Sequence, residues 1–461
     1  MANIHANLDS LFNDIADAIR EKIGDESIIP AVDFPDLIRD RLQVIKKPYL
    51  TFKSPNSFTL AVNDTTKHWN GTLEYSTDTS TWSTWDGTIT LSSATKRSSN
   101  VLYLRGTGNT VITGSNLNYR WVLTGSNISC VGNIENLLDY ATVAAGNHPT
   151  MANYCYNQMF YGCTSLTKAP ALPATTLADW CYSNMFNGCT SLTQAPALPA
   201  TTLASRCYNQ MFYGCTSLTH APALPATTLA ESCYFGMFYG CTNLTQAPAL
   251  PATTLATQCY AGMFNGCTSL TQAPALPATT LATQCYRSMF YNCTSLTQAP
   301  ALPATTLANR CYAYMFRGCT SLTQVPYLPA TTLTDYCYQQ MFNRCTNLTQ
   351  APNVLPATTL AESCYMYMFE FTALTSIPRI MATTYATDSC KGMFDDIKTL
   401  NVYSSSGEGH SYGWTAPAST YCSGMFGSDD GESEWAKLDG SNFPNGGTPT
   451  EGVTYYFATV D

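Results

Sequence analysis

The chain has 461 residues, enough for several domains, yet only 11% are Asp, Glu, Lys or Arg, well under the usual share of about 25%. A formal charge of −9 repels a phosphate backbone and argues against nucleic acid as a partner. No run approaches the roughly 18 consecutive apolar residues of a membrane helix, and "MANIHANLDSLFNDIADAIR" has neither a basic start nor an apolar stretch, so the sequence predicts no membrane insertion and no conventional secretion signal.

Residues 1–47 read as a short helical module. "LDSLFNDIADAIREKIG" sets Leu8, Leu11, Phe12, Ile15, Ile19 and Ile23 at helical spacing, with acidic residues toward the start. "VDFPDLIRDRL" predicts a second helix with Asp33 as N-cap and Asp36 in the first turn. The apolar face needs a partner, and packing of the two helices on each other or on the next domain would supply one. "IADAIREKIG" followed by a "DFP" helix also resembles an N-terminal module of structural proteins from bacteriophages that infect gut bacteria, over about 40 residues. That resemblance implies an anchoring and homo-oligomerising role, a trimer being one form, with Leu8, Leu11, Phe12, Ile15 and Ile19 facing other virion proteins.

Residues 48–129 alternate Thr, Ser, Tyr, Trp and Val with Asn, Asp and Gly ("YLTFKS", "TLEYSTDTSTWSTWDGTITLSS", "NVLYLRG", "YRWVLTG"), the strand-and-turn pattern of a small β-sandwich. It resembles the β domain that precedes repeats of the kind found next in bacterial and phage proteins. "ISCVGNIENLLDY", Ile128 to Tyr140, is then expected to cap the start of those repeats.

From 130 to 425 the chain repeats. A cysteine followed by a Met-Phe pair begins at 155, 181, 207, 233, 259, 285, 311 and 337, a 26-residue period, then at 364, 390 and 422 with looser spacing. A fixed period of this size marks a solenoid whose coils bury their apolar sides only against neighbours and whose terminal units are atypical. In the three irregular units the second cysteine position reads as Thr372, Lys398 and Asp430. Within a unit, Cys155, Tyr156, Met159 and Phe160 at i, i+1, i+4 and i+5 predict one inward face of a short helical turn. Position 162 is Gly in most units and Asn292 in another, which ends that turn in a left-handed residue; Arg344 in the same slot is an exception. Leu166, Ala169, Leu172 and Leu177 continue the inward set, and Pro170 keeps any parallel ladder short.

"MFYGCTSLTKAPALP" resembles the BspA-type leucine-rich repeat in its aromatic-x-Gly-Cys core, Leu-Thr and proline corner, over about 130–425. The coil here is longer than usual for that family, and Met159 stands where Ala is commoner. The expected fold is α+β: a right-handed-type leucine-rich-repeat solenoid of about eight regular coils plus three irregular, after a β-sandwich and a helical module. Residues 426–461 form a C-terminal cap segment in which "GVTYYFATVD" reads as a last strand.

Sixteen of the 20 cysteines fall at the two repeat positions of the eight regular units. An inter-coil disulfide ladder or a metal array would use them; Cys155 and Cys163 lie too far apart to bridge within a coil, equivalents on adjacent coils are near enough, and buried thiols are favoured because the expected reducing cytosol disfavours such bonds and no histidine recurs beside them. The structural core is read as Cys155, Met159, Phe160, Cys163, Leu166, Leu172 and Leu177. Variable slots flank it: the pair before the first cysteine, the pair after Cys-Tyr and the residue after Met-Phe. They yield an outward stripe, Trp180, Arg206, Tyr213, Phe235, Tyr239, Arg287, Tyr291, Arg310, Tyr314, Arg317, Tyr336 and Tyr367, in the residue vocabulary of adaptable recognition surfaces. Drift at exposed positions gives the same variability. Lys168, Gln194, His220, Gln246, Gln272, Gln298, Gln324 and Gln350 form a second, nearly uniform stripe, read as a solvated polar ladder.

No nucleophile motif, phosphate loop or repeated carboxylate pair is present, and the five histidines are scattered. "GSDDGESE" around Asp429, Asp430 and Glu432 lacks the D-x-D-x-D spacing of a calcium loop and reads as solvated. The expectation is a non-enzyme with no catalytic residue, cofactor or metal. Its first reading is a phage virion protein, made in the host cytoplasm and exposed on the particle as a tail fibre, tail tip or capsid-attached fibre, whose solenoid binds a host cell-surface glycan or protein. Its alternatives are a bacterial cell-surface adhesin and a purely architectural virion protein.

Overall fold

The computed structural model describes residues 49–458 apart from 65, 97–98, 428–435 and 444. The predicted helices carrying Leu8, Leu11, Phe12, Ile15 and Ile19, and the acidic run at Asp429, Asp430 and Glu432, lie outside the described residues.

Alternating sequence between 49 and 131 forms β1 (Leu50–Ser54), β2 (Thr59–Val62), β3 (Thr72–Ser76), β4 (Ser83–Trp85), β5 (Leu91–Ser92), β6 (Ala94–Lys96), β7 (Ser99–Thr107), β8 (Trp121–Thr124) and β9 (Ile128–Val131). The larger sheet runs β9-β1-β7-β3-β4, with β6 also on β7, and the smaller runs β5-β2-β8. Period-two alternation decides the faces: Leu60 and Val62 of β2, and Trp121 and Leu123 of β8, are buried while their neighbours are partly or fully exposed. Trp85 and Trp121 meet edge to face at 5.5 Å, and the Trp85 indole Nε1–H donates to the Ile89 carbonyl, which lets a large ring be buried without an orphaned donor.

The sheet continues directly into the repeats. β9 pairs in parallel with β10 (Leu166–Lys168) of the first coil, and the Ala171 amide donates to the Gly132 carbonyl. Gly132 sits at φ +98 with its Cα against the Tyr49 carbonyl, so a Cβ there would strike backbone. Helix α1 (Asn136–Ala144) follows and buries Leu137 and Leu138. Phe52 and Trp121 lie 6.2 Å from Phe160, joining the sandwich interior to the first ring of the repeats.

The segment expected to be a helical turn is not helical. Tyr154, Gln158 and Gly162 are left-handed (φ +60, +59 and +73), and this recurs in the following coils as far as Asp388, Gly392 and Asp396, as at Arg206, Gln210 and Gly214. A left-handed residue at every fourth position cannot propagate an α-helix. The chain instead makes overlapping turns: the amides of Asn157, Met159, Tyr161 and Cys163 donate three residues back, to Tyr154, Tyr156, Gln158 and Phe160. The intervening amides point to the next coil: Tyr156 donates to Cys181, Gln158 to Ser183, Phe160 to Met185 and Gly162 to Asn187, at 2.7–2.9 Å. A four-residue period superposes Cys155 on Met159 and Tyr156 on Phe160 much as a helix would, so the inward face is as expected although the backbone is not. Helix is confined, among the described residues, to α1, the single turn Ser419–Cys422 and two short 3-10 segments, so the described chain is mostly β with few helices rather than α+β.

Cys155, Tyr156, Met159, Phe160 and Leu166 are fully buried, and Cys163, Leu172 and Leu177 are nearly so. Their equivalents stack in columns. Phenylalanine rings run from Phe160 to Phe426, and tyrosine rings from Tyr156 to Tyr365, neighbours lying near-parallel at 5.6–5.9 Å. Pro170 and its equivalents remove an amide per coil, so the other side of the coil is joined by single parallel bridges such as His220 with Gln246 and Thr228 with Thr254.

In the unit at 390 the expected register is off by one. Tyr365 donates to Ser389 and Phe369 to Met393, which puts Ser389 in the first-cysteine column and Cys390 in the tyrosine column. Buried Ile397, not exposed Lys398, fills the second-cysteine column. Asp430 lies outside the described residues. The phenylalanine stack fixes this register, because Phe394 must sit under Phe369. The stack ends where Phe426 meets Trp414, Phe443 and Phe457, the last of these on the strand Thr454–Phe457, which pairs with Tyr412–Thr415.

Candidate functional site

The turn backbone decides where the variable residues go. Trp180, Arg206, Arg310 and Tyr336 occupy the first left-handed position of their coils, and Tyr314 and Tyr367 the second (φ +53 to +60). Phe235 and Arg287 precede the second position; Tyr213, Tyr239, Tyr291 and Arg317 follow Met-Phe. Of these twelve, Arg287 is exposed and the others are partly buried, because each coil lays its side chains against the next.

Those contacts form interlocked columns. Trp180 stacks on Tyr154 at 5.7 Å, Arg206 lies 4.9 Å above Trp180, and Arg206 Nη2 bonds Glu231 at 2.7 Å. Further along, Gln258 donates to Gln284, Arg310 lies 4.3 Å over Tyr336, and the Tyr336 hydroxyl donates to Glu362. In the neighbouring columns Tyr213 stacks on Tyr239 at 4.6 Å, Arg317 lies over Tyr291, and Arg287 over Tyr314. Guanidinium and ring faces thus meet at several steps of these columns, a pairing of the two residue types that anchor interfaces most often. The second stripe, Lys168 through Gln350, is exposed throughout and lies on the opposite, bridge-bearing side of each coil.

The cysteines are all free and buried. Thiols of the second column donate back one coil: Cys189 Sγ to the Phe160 carbonyl and Cys241 Sγ to Phe212, both at 3.1 Å. Burial pushes Cys163 up to about 11 and Cys207, Cys241 and Cys259 up to about 12, so these are structural groups and not nucleophiles. The described histidines are dispersed: His68 stacks on Tyr119 beside Asp64, His148 bonds buried Glu135 at 2.8 Å, His220 is exposed, and His410 lies against Tyr403. None of them stands beside a buried thiol as a base. Among the described residues one acidic group, Glu370, Asp395 and Asp396, brings its carboxylate oxygens within 4.8 Å of one another, a juxtaposition the repeat pattern did not reveal because the same slots hold no carboxylate in the other coils.

The BspA type leucine rich repeat region matches residues 145–271 and 234–370, in six copies, so the repeat portion of the chain is similar to that repeat type. No curated protein matches the chain. Repeats of this type point to a surface-adhesion or protein-binding repeat protein.

Proposed function

We propose that the protein is a non-enzymatic recognition component of a bacteriophage particle, carried by its N-terminal module and touching the host bacterial surface with the variable columns of its repeats. One observation carries the recognition part: side chains that differ from coil to coil are gathered on one side of the stack in Arg-aromatic columns, while the invariant letters fill the interior. The phage part is supported by the resemblance of residues 1–47 to virion proteins. Successive coils lie 5.6–5.9 Å apart by their rings, so neighbouring coils present near-equivalent weak contacts, and linked weak contacts gain apparent affinity through effective concentration.

Likeness to BspA repeats favours a second reading, an adhesin on the bacterial surface itself. Mass spectrometry of purified particles against the host cell-surface fraction separates the two. Recognition is tested by replacing Trp180, Arg287 and Tyr314 together with Ser: host-cell binding should fall at least tenfold while the thermal transition moves by only a few degrees. Unchanged cell binding would remove these columns from the function.

A further inference from the structure

The slot in which Arg344 departs from the repeat marks a local change in both outer columns. The third left-handed position is Gly162, Gly188, Gly214, Gly240, Gly266, Asn292 and Gly318, and then Arg344, Phe371 and Asp396, each still at φ +54 to +61. Side chains are placed where the backbone disfavours them. The second position, which is Gly at 236 and 262 as well, changes the opposite way here, from Tyr314, Gln340 and Tyr367 to Gly392 and Gly424. Adding side chains to one column and deleting them from the next opens a cleft of about 370 Å³ over the last coils. Gly392 is its floor and Tyr367 lies directly on it: a Cβ on Gly392 would overlap the Tyr367 ring.

Arg317, Arg344, Gln340, Glu370, Asp395 and Tyr367 line the cleft. Two guanidinium groups face two carboxyl groups, and a third carboxyl, Asp396, stands within 4.8 Å of both, so charges of both signs are present and neither exceeds the other by more than one. Each guanidinium is propped on a ring, Arg344 at 4.4 Å over Phe371 and Arg317 at 5.5 Å over Tyr291, and neither is held in an ion pair among the described residues. Burial, with the nearby Asp396 charge, raises the Glu370 carboxyl to about 6.

We infer that this cleft binds one neutral saccharide unit of a surface glycan. The inference rests on the recognition reading above and narrows its ligand. Vicinal hydroxyls both donate and accept: carboxyl oxygens of Glu370 and Asp395 accept hydrogen bonds from them, while Arg317, Arg344 and Gln340 donate to their oxygens. Tyr367 offers a ring to the C–H side of a pyranose. An anion would meet the carboxylates, a cation the two arginines, and an apolar ligand would cover four charged groups with nothing to solvate them. The volume lies near the small end for ligand sites and suits a single ring.

The test uses the full chain and saturation-transfer NMR with neutral hexoses, N-acetylhexosamines and 6-deoxyhexoses, and with sialic acid and glucosamine as charged comparators. At least one neutral sugar should bind at millimolar level and the charged ones should not compete. Arg344→Gly restores the residue that the column usually holds, so it should weaken sugar binding at least tenfold with Tm unchanged or raised; Glu370→Gln should weaken it likewise. No neutral sugar bound, or both variants binding as the parent does, overturns the proposal. Calcium binding that Glu370→Gln abolishes, with no sugar signal, overturns it in favour of a cation. Host-cell attachment that neither free sugar nor Arg344→Gly reduces overturns the cleft alone; a chain that attaches to no cell overturns the broader reading, and the NMR titration still decides the cleft.

Discussion

Removing one ring from the centre of the phenylalanine column should cost more than removing a typical core phenylalanine. Phe238 is fully buried, with Phe212 and Phe264 at 5.7 Å on either side. Phe238→Ala loses a transfer term of about 2–3 kcal/mol, and the cavity left behind takes the usual total to about 3–5 kcal/mol. Where in that range the change falls depends on how far the neighbours can collapse into the gap. Here they are pinned: the Phe212 amide donates to Met237, the Phe238 amide to Met263, and the Phe238 carbonyl accepts from Cys241 N and Cys267 Sγ, all at 2.9–3.1 Å. Coil spacing is set by these bonds, so the gap cannot close, and a loss of about 4–5 kcal/mol is expected. Because coils contact only their neighbours, the damage should be local, splitting the array instead of uniformly loosening it. Urea unfolding followed by circular dichroism gives the magnitude, and hydrogen exchange should show amides at 233–267 losing protection ahead of those at 155–189. A loss below about 1 kcal/mol, or protection lost evenly along the array, would refute the pinned-stack account.

Other consequences are as direct. The native chain should resist thiol alkylation at mildly alkaline pH and react throughout in denaturant, since its cysteines are buried and, where they are raised to about 12, remain protonated; rapid labelling of the folded chain would contradict the packing. Gly214→Ala probes backbone alone, because φ is +66 and no atom lies within 4 Å of the added Cβ, so about 1 kcal/mol should be lost from strain with no change in packing. Glu370 holds its proton in the folded chain above the ordinary value of 4.5, up to about 6, so it contributes stability below 4.5 that is lost as pH rises through 6. Melting temperature should therefore fall less over that window in Glu370→Gln than in the parent, and identical profiles would show that the carboxyl is not held in the cleft.

The inward letters were legible because a coil must bury the same volumes as its neighbours: Cys155, Met159, Phe160, Cys163, Leu166, Leu172 and Leu177 recur and are buried. What misled was local conformation. A spacing of i, i+4 is shared by a helix and by a chain with a left-handed residue every fourth position, and residues such as Gln158, Trp180 and Arg206 carry no mark of the left-handed region that only their inter-coil bonds impose. The slip at 390 has the same origin, because cysteine spacing suggests one register while the ring stack enforces another. The clustering of Arg344, Glu370 and Asp395 was hidden for a further reason: they come from three coils and meet only through the stacking.

By itself, then, the sequence determined that this chain repeats, which residues of each repeat face inward, where the regular units give way to irregular ones, and that its thiols sit in columns. Periodicity suffices for that, since identical units stacked in register must bury identical atoms. Tertiary structure alone decided the backbone path, the register of the last coils and the arrangement of the outer side chains. Those depend on hydrogen bonds and ring contacts between residues about 25 positions apart, where the energy of a conformation belongs to two neighbouring coils together and to neither one's local sequence.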